Sequence, residues 1–171
     1  MLAQTGGRVF SGADSIEEIC STIASVYHKP ILDSCNTIRA YLQQHTAIAE
    51  LPEPVSEIVQ LIFQKIEDEM THVFRKETGI VFPYIQQNKK GKGLQPKVVD
   101  AMLHTHEILI ALLQKLRQVM HHYVTRPAWP DTLKTCVNEM FLLETHVLQW
   151  IHFEQSALYP MLSKDTVNTT A

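Results

Sequence analysis

The chain has 171 residues, of which 45% are hydrophobic and 19% are charged, so it has the composition of a folded domain and not of a disordered or fibrous chain. Its formal net charge of -3 excludes a basic surface for nucleic acid, and its six glycines form no phosphate-binding loop. The three cysteines stand singly, and neither an export signal nor a membrane-spanning apolar run is visible, so we expect a cytoplasmic protein.

The first predicted helix begins at a capping-box pattern, in which Ser15 is followed three residues later by Glu18. Its apolar residues recur at helical spacing and extend to about Gln44. Pro30 lies inside this helix and predicts a local kink, because proline lacks a backbone donor and crowds the preceding turn.

Three further segments have the same helical periodicity. The second follows a Leu-Pro-Glu-Pro stretch at 51–54 and ends in an Asn-Lys-Lys-Gly-Lys-Gly stop stretch at 88–93. The third runs from about Pro96 to Tyr123, and the fourth follows an Arg-Pro-Ala-Trp-Pro stretch at 126–130. Short connections force neighbouring helices to be antiparallel, so we predict an all-α, up-down-up-down four-helix bundle. The predicted organisation is an N-terminal extension at 1–14, the bundle at 15–162 and a polar C-terminal tail at 163–171.

One ionisable residue interrupts the apolar stripe of each helix: His28, Glu77, His106 and Glu154. Counted from the same end of the bundle, these positions lie within about 8 Å of height at a rise of 1.5 Å per residue. Taken singly, His28 is as typical of a satisfied core histidine as of a metal ligand. Glu77 and Glu154, taken singly, are as typical of a solvated end of the bundle. The joint register favours a shared cation, because two buried carboxylates need compensation and no Lys or Arg lies on these stripes at that level. Imidazole and carboxylate ligands in a bundle suit iron or manganese, and also zinc.

Two other histidines lie next to these stripes. His72 and His146 are each about 100° from the stripe of their helix and about one turn from the proposed site, so a modest helix distortion brings either to it. His104 and His152 lie on the opposite helix faces, where we expect contact with solvent.

The second and fourth helices end alike. In Glu77 to Pro83 and in Glu154 to Pro160, a glutamate is followed five residues later by an aromatic residue and then by proline. Together with Tyr27-His-Lys-Pro30 and His106, these motifs resemble hemerythrin-like (HHE) domains. The resemblance is closest to the C-terminal domain of di-iron proteins that repair iron-sulfur clusters after nitrosative or oxidative stress. It spans the predicted bundle and has no counterpart of the smaller cysteine-containing domain of those proteins.

The resemblance implies a non-haem di-iron centre held by one histidine from each helix and two bridging glutamates. The two glutamates of the paired endings match the bridging residues, and His28 and His106 match two of the histidines. The family also places a histidine four residues before each glutamate, and there this chain has Val73 and Trp150. We expect a π-bulge between His72 and Glu77 to bring His72 into register, whereas the indole of Trp150 cannot ligate iron.

The leading hypothesis is therefore a non-haem iron protein that binds one or two ions and handles dioxygen, nitric oxide or peroxide. The ligands it implies are His28, His72, Glu77, His106 and Glu154, with His146 in reserve. A role in stress response or iron-sulfur repair, with iron-sulfur proteins as partners, follows from the resemblance alone. No acid-base or nucleophile arrangement indicates a hydrolase or transferase, so we expect any turnover to be redox chemistry at iron.

Two alternatives come from other classes of protein. The replacement at Trp150 and the displacement of His72 motivate a metal-free relic of the fold that acts as a helical interaction module. Glu69 and His72 also have the Glu-x-x-His spacing of ferritin-like bundles. That fold needs a second such element, which the chain lacks.

Overall fold

The structure is a computed structural model that describes residues 15–87 and 96–163. Its described residues form helices and turns and contain no strand, which confirms the all-α four-helix prediction. No helix in this part of the chain has the length and apolarity needed to cross a bilayer. The expected extension at 1–14, the stop stretch at 88–93 and all but the first residue of the tail at 163–171 lie outside the described residues.

Four helices build the bundle, and three of them contain a π-helical segment. Helix α1 has three parts, Ile16–Thr22, the π segment Ile23–His28 and Lys29–Gln44. Helix α2 has the parts Glu53–Lys76, the π segment Glu77–Val81 and Phe82–Gln87. Helix α3 is Pro96–Val119, followed by a 3-10 turn at His121–Tyr123. Helix α4 has the parts Asp131–Phe153, the π segment Glu154–Leu158 and Tyr159–Ser163.

A proline follows each π segment as the second residue of the next α-helical part: Pro30, Pro83 and Pro160. In a regular α-helix the proline ring clashes with the carbonyl four residues earlier. The wider π turn moves this carbonyl away from the ring, so the helix continues. The kink predicted at Pro30 therefore takes the form of a π segment before the proline. The paired Glu-to-Pro endings of α2 and α4 mark the same arrangement in the sequence.

The interior of the bundle is apolar along most of its length, and every helix contributes fully buried side chains such as Ile38, Ile66, Leu109 and Val147. Burial of such side chains is the main term that stabilises a bundle of this size. Among the described residues, Glu144 is the one buried acidic or basic side chain outside the level of the π segments, and it pairs with Arg117. The other buried glutamates and histidines converge at one level.

The capping box at the start of α1 is present as predicted. The Ser15 hydroxyl accepts a hydrogen bond from the Glu18 amide at 3.2 Å, and the Glu18 carboxylate accepts one from the Ser15 amide at 2.9 Å. We expect Ser15→Ala to lower the free energy of unfolding by about 1 kcal/mol, because the Glu18 amide at the helix end loses its partner. Urea denaturation measures this change. Ser25→Ala is the matched control, because Ser25 is an exposed mid-helix serine whose hydroxyl donates to the Ser21 carbonyl. Equal losses of stability in both variants would contradict the prediction.

Candidate metal centre

Each helix of the bundle places one ionisable side chain at a common level in the core. His28 ends the π segment of α1, His106 lies within α3, and Glu77 and Glu154 begin the π segments of α2 and α4. All four are buried, and the two glutamates are 0% exposed. The structure thus brings together four of the sequence-predicted ligand residues.

His28 and Glu77 form the first pair of the cluster. Nε2 of His28 lies 2.7 Å from Oε2 of Glu77. The imidazole stacks on the Phe74 ring, with 3.7 Å between the ring centroids, and this contact fixes its plane. Burial lowers the pKa of His28 to about 4, so the ring is neutral near pH 7. Neutral imidazole is the form that binds metal ions.

His106 and Glu154 form the second pair, which two further side chains support. Nε2 of His106 lies 3.0 Å from Oε2 of Glu154. The Trp150 indole N–H donates to Oε1 of Glu154 at 2.8 Å, and the Tyr159 hydroxyl donates to Oε2 at 3.3 Å. Burial and the nearby Glu154 carboxylate raise the pKa of Tyr159, so its hydroxyl keeps its proton and remains a donor. Both oxygens of Glu154 are therefore held in place.

The two pairs face each other across the core. His28, Glu77 and Glu154 each offer a ligand atom, and these atoms lie within 4.8 Å of one another. Ligands on opposite sides of one ion, with bonds of about 2.1 Å, are about 4.2 Å apart. Small side-chain movements therefore suffice for these residues to share one cation.

The electrostatics of the cluster favour a positive charge. Burial raises the pKa of Glu77 well above its usual range, and the charge of Glu154 raises it further. Burial, followed by Glu154, also raises the pKa of the neighbouring Cys20 thiol to about 11. In the described part of the chain neither glutamate has a Lys or Arg partner. Without a metal ion, the raised pKa of Glu77 favours its protonated form, which lowers the cost of burial.

One carboxylate oxygen of the cluster has no partner, and this indicates that a cation fits there. Oε1 of Glu77 is buried and has no hydrogen-bond partner among the described residues. An unpaired buried carboxylate oxygen is costly, and coordination to a cation removes this cost. Two imidazoles and two carboxylates are suitable ligands for a first-row divalent ion.

The two positions that depart from the family pattern make the centre asymmetric. Val73 is 3% exposed and Trp150 is 0% exposed, so both side chains pack in the core beside the cluster. Neither side chain can ligate a metal ion. The residues present therefore fit one ion, and they lack the histidines that the resemblance requires for a second ion.

His72 and His146 lie outside the cluster. The prediction of a π-bulge between His72 and Glu77 is wrong. Helix α2 is a regular α-helix up to Lys76, and its π segment begins at Glu77. A π turn after the glutamate does not rotate His72 inward, and His72 is exposed. His146 is half-buried with an unpaired Nδ1, but it lies eight residues before Glu154, about 12 Å along the helix. His104 and His152 are exposed, as expected.

Tyr159 is the functional residue that sequence reasoning missed. Its hydroxyl contacts Glu154 and lies 3.5 Å from Nε2 of His106. In the sequence, Tyr159 is the aromatic residue five positions after Glu154. Its place in that motif does not reveal that its hydroxyl contacts the glutamate. The extra residue in the π segment turns this side chain toward the glutamate.

The chain matches a known protein family. A family model described as the hemerythrin HHE cation-binding domain matches residues 23–163, which include all four residues of the cluster. No curated protein matches the chain.

The raised pKa of Glu77 predicts the pH dependence of the metal-free protein. A group whose pKa is higher in the folded than in the unfolded state stabilises the fold at low pH, and this contribution is lost as pH rises through the folded pKa. We expect the free energy of unfolding of the chelator-treated parent protein, relative to that of Glu77→Gln, to fall as pH rises above the ordinary glutamate pKa of 4.5, by up to about 1.4 kcal/mol per pH unit. Glu77→Gln cannot ionise at this position and lacks this contribution. Urea denaturation at several pH values measures it.

The comparison with Glu77→Gln separates Glu77 from the other groups that face it. Burial lowers the pKa of His28 and raises the pKa of the Cys20 thiol, and both groups are present in both proteins, so their contributions largely cancel in the difference. Glu57→Gln, at an exposed position of α2, is the control and should behave as the parent protein. Equal slopes in the parent protein and in Glu77→Gln would contradict the raised pKa of Glu77.

Proposed function

This chain belongs to the family of hemerythrin HHE cation-binding domains, and from this premise we propose that its cluster binds a single non-haem iron ion. The proposed ligands are His28, Glu77, His106 and Glu154. The observation that carries the proposal is the convergence of two imidazoles with two buried carboxylates in the absence of a Lys or Arg partner among the described residues. Oε1 of Glu77, which is unpaired, supplies a further ligand atom.

The residues around the ligands support a centre that binds small molecules. When bound, iron would supply redox-active Lewis-acid chemistry toward dioxygen, nitric oxide or peroxide. Trp150 and Tyr159 hold Glu154 by hydrogen bonds and orient it, as the outer partners of metal ligands do. The Tyr159 hydroxyl, with its raised pKa, is a donor within reach of the His106 ligand atom. The rings of Phe74 and Trp150 pack against the His28 imidazole and hold its orientation.

The biological role we propose is a response to nitrosative or oxidative stress in the cytoplasm, with iron-sulfur proteins as partners. Its support is the resemblance of the Glu-to-Pro endings to the repair proteins, together with the binding chemistry of the cluster. Manganese and zinc suit the same ligands, but only iron and manganese offer redox chemistry with these small molecules.

A second candidate is a metal-free interaction module, and one observation favours it. The Trp150 indole already satisfies Oε1 of Glu154, and the raised pKa of Glu77 favours a neutral carboxyl group there. A cluster stabilised in this way has less need of a metal ion. Metal content distinguishes the two candidates.

We expect the full chain, purified without chelator from iron-supplemented cells, to contain about one iron per molecule by plasma mass spectrometry. Glu77→Ala combined with Glu154→Ala should reduce this below about a tenth, because each carboxylate supplies a ligand and charge compensation. His104→Ala combined with His152→Ala removes two exposed imidazoles and should leave the content unchanged. Less than about a tenth of an iron in the parent protein, with its folding unchanged by added metal, would reject the metal site and favour the interaction module.

Intrinsic fluorescence gives an independent measure of binding at the cluster. The chain has two tryptophans, so Trp129→Phe leaves Trp150 as the sole indole. Because its ring centroid is 4.8 Å from that of His106, anaerobic addition of ferrous iron should quench its emission. Quenching that persists after loss of both glutamates would show that the ion binds elsewhere.

The asymmetry of the centre predicts how to restore a second ion. Val73→His combined with Trp150→His places a histidine four residues before each glutamate, on the same helix face. We expect iron content to rise to about two per chain, with a lower melting temperature because a large core indole is lost. Val73→Leu combined with Trp150→Phe disturbs the packing without adding ligands and should retain about one iron. A content of one in both variants would contradict the assignment of these two positions.

A further inference from the structure

An apolar cavity of about 280 Å³ lies between α2 and α3, beside the metal-site level of the bundle. Its walls are formed mainly by aliphatic side chains, among them Val73, Val81, Val98 and Met102. Its volume is near the lower end of the range of small-molecule sites, roughly 300 to 1,000 Å³. It therefore has the size and lining for a short aliphatic chain.

The outer part of this cavity is cationic. Lys76 and Lys97, one from each helix, are exposed residues that line it. Among the described residues, neither ammonium group has a carboxylate partner, whereas Lys29 and Lys134 each pair with an aspartate. His72 lines the same cavity and is also exposed. Two unpaired ammonium groups next to an apolar cavity favour an anionic group at its entrance.

The inner part of the cavity has no Lys or Arg among the described residues. Glu77, which is fully buried, belongs to the lining, and Glu154 lies beside it in the cluster. An anionic group at this end would be buried beside two carboxyl groups and without a cationic partner from the protein. The two lysines at the outer end therefore favour one orientation of a ligand, in which the anion stays between them and the aliphatic chain enters.

We propose that this cavity binds a free, unbranched medium-chain carboxylate, with its headgroup between Lys76 and Lys97 and its chain against the aliphatic walls. The proposal goes beyond iron binding and does not depend on it, because the lysines and the aliphatic walls belong to the protein alone. Burial of the chain supplies most of the affinity, and the two ammonium groups select the anion.

Calorimetric titration of the full chain, both iron-loaded and chelator-treated, tests the proposal with octanoate and decanoate below their micelle concentrations. We expect binding of both, with decanoate tighter, because additional methylene groups are buried. Octanol lacks the negative charge and octyltrimethylammonium reverses it. Octanol should bind about tenfold more weakly than octanoate, and the cation should not bind measurably.

Two pairs of variants locate the binding. Lys76→Gln combined with Lys97→Gln should weaken octanoate binding about tenfold. The control, Lys65→Gln combined with Lys115→Gln, removes an exposed lysine from each of the same helices. It should change octanoate binding less than about twofold. Ala101→Phe, at a cavity-lining position of α3, should fill the space and abolish binding, whereas Ala111→Phe on the same helix should not. Melting temperatures, compared within each pair, separate a loss of binding from a loss of folding.

Several outcomes would overturn the proposal. These are absence of octanoate binding by the parent protein, equal affinity for octanol, or equal effects within either pair of variants. Binding only to vesicles that contain anionic lipid, without binding of free octanoate, would assign the lysines to a membrane surface and reject the cavity site. Loss of iron binding without loss of octanoate binding, as expected for Glu154→Ala, would leave this proposal standing.

Discussion

The structure depends on two carboxylates, Glu77 and Glu154, that face each other in the core without a Lys or Arg partner among the described residues. Two buried carboxylates are unfavourable by several kcal/mol unless a proton, a hydrogen bond or a cation compensates their charge. Each surrounding polar group serves this purpose. His28 pairs with one glutamate, and His106, Trp150 and Tyr159 surround the other. Oε1 of Glu77 remains without a partner and is the atom for which a cation offers the largest gain.

The backbone prepares this arrangement before any ligand binds. In both α2 and α4 the glutamate is the first residue of a π segment, and a proline follows six residues later. Because proline disfavours a regular α-helix at the preceding turn, the sequence selects the wider turn locally, independently of the metal. The widened turn in α4 lets Tyr159 approach Glu154. The positions of the carboxylates are thus set by local backbone chemistry, and their ionisation is set by burial.

Much of this organisation could be predicted from periodicity, and some of it could not. The capping box at Ser15, the four amphipathic helices and the common level of the four cluster residues follow from residue spacing, because helix rise and stripe direction are nearly constant. The location of the π segment was predicted incorrectly at His72, since the histidine spacing of the family suggested an extra residue before the glutamate, whereas the π segment follows it. The cavity between α2 and α3 could not be predicted, because the space between helices depends on how side-chain volumes fit across them.

The replacements at Val73 and Trp150 have different physical consequences, although both remove a histidine expected by the resemblance. Trp150 fills its position with a large ring whose N–H bonds Glu154, so that side of the cluster is closed and satisfied. Val73 is smaller than an imidazole and offers no donor, so Glu77 retains an unpaired oxygen, and the apolar cavity adjoins both residues. The cluster is therefore bordered by two openings, the apolar cavity on the α2 and α3 side and a pocket between α1 and α2 that His28 and Phe74 line. A molecule that reaches the cluster through the apolar cavity must pass between two lysines and along aliphatic walls, which favours a small or amphiphilic molecule over a hydrated cation on this route.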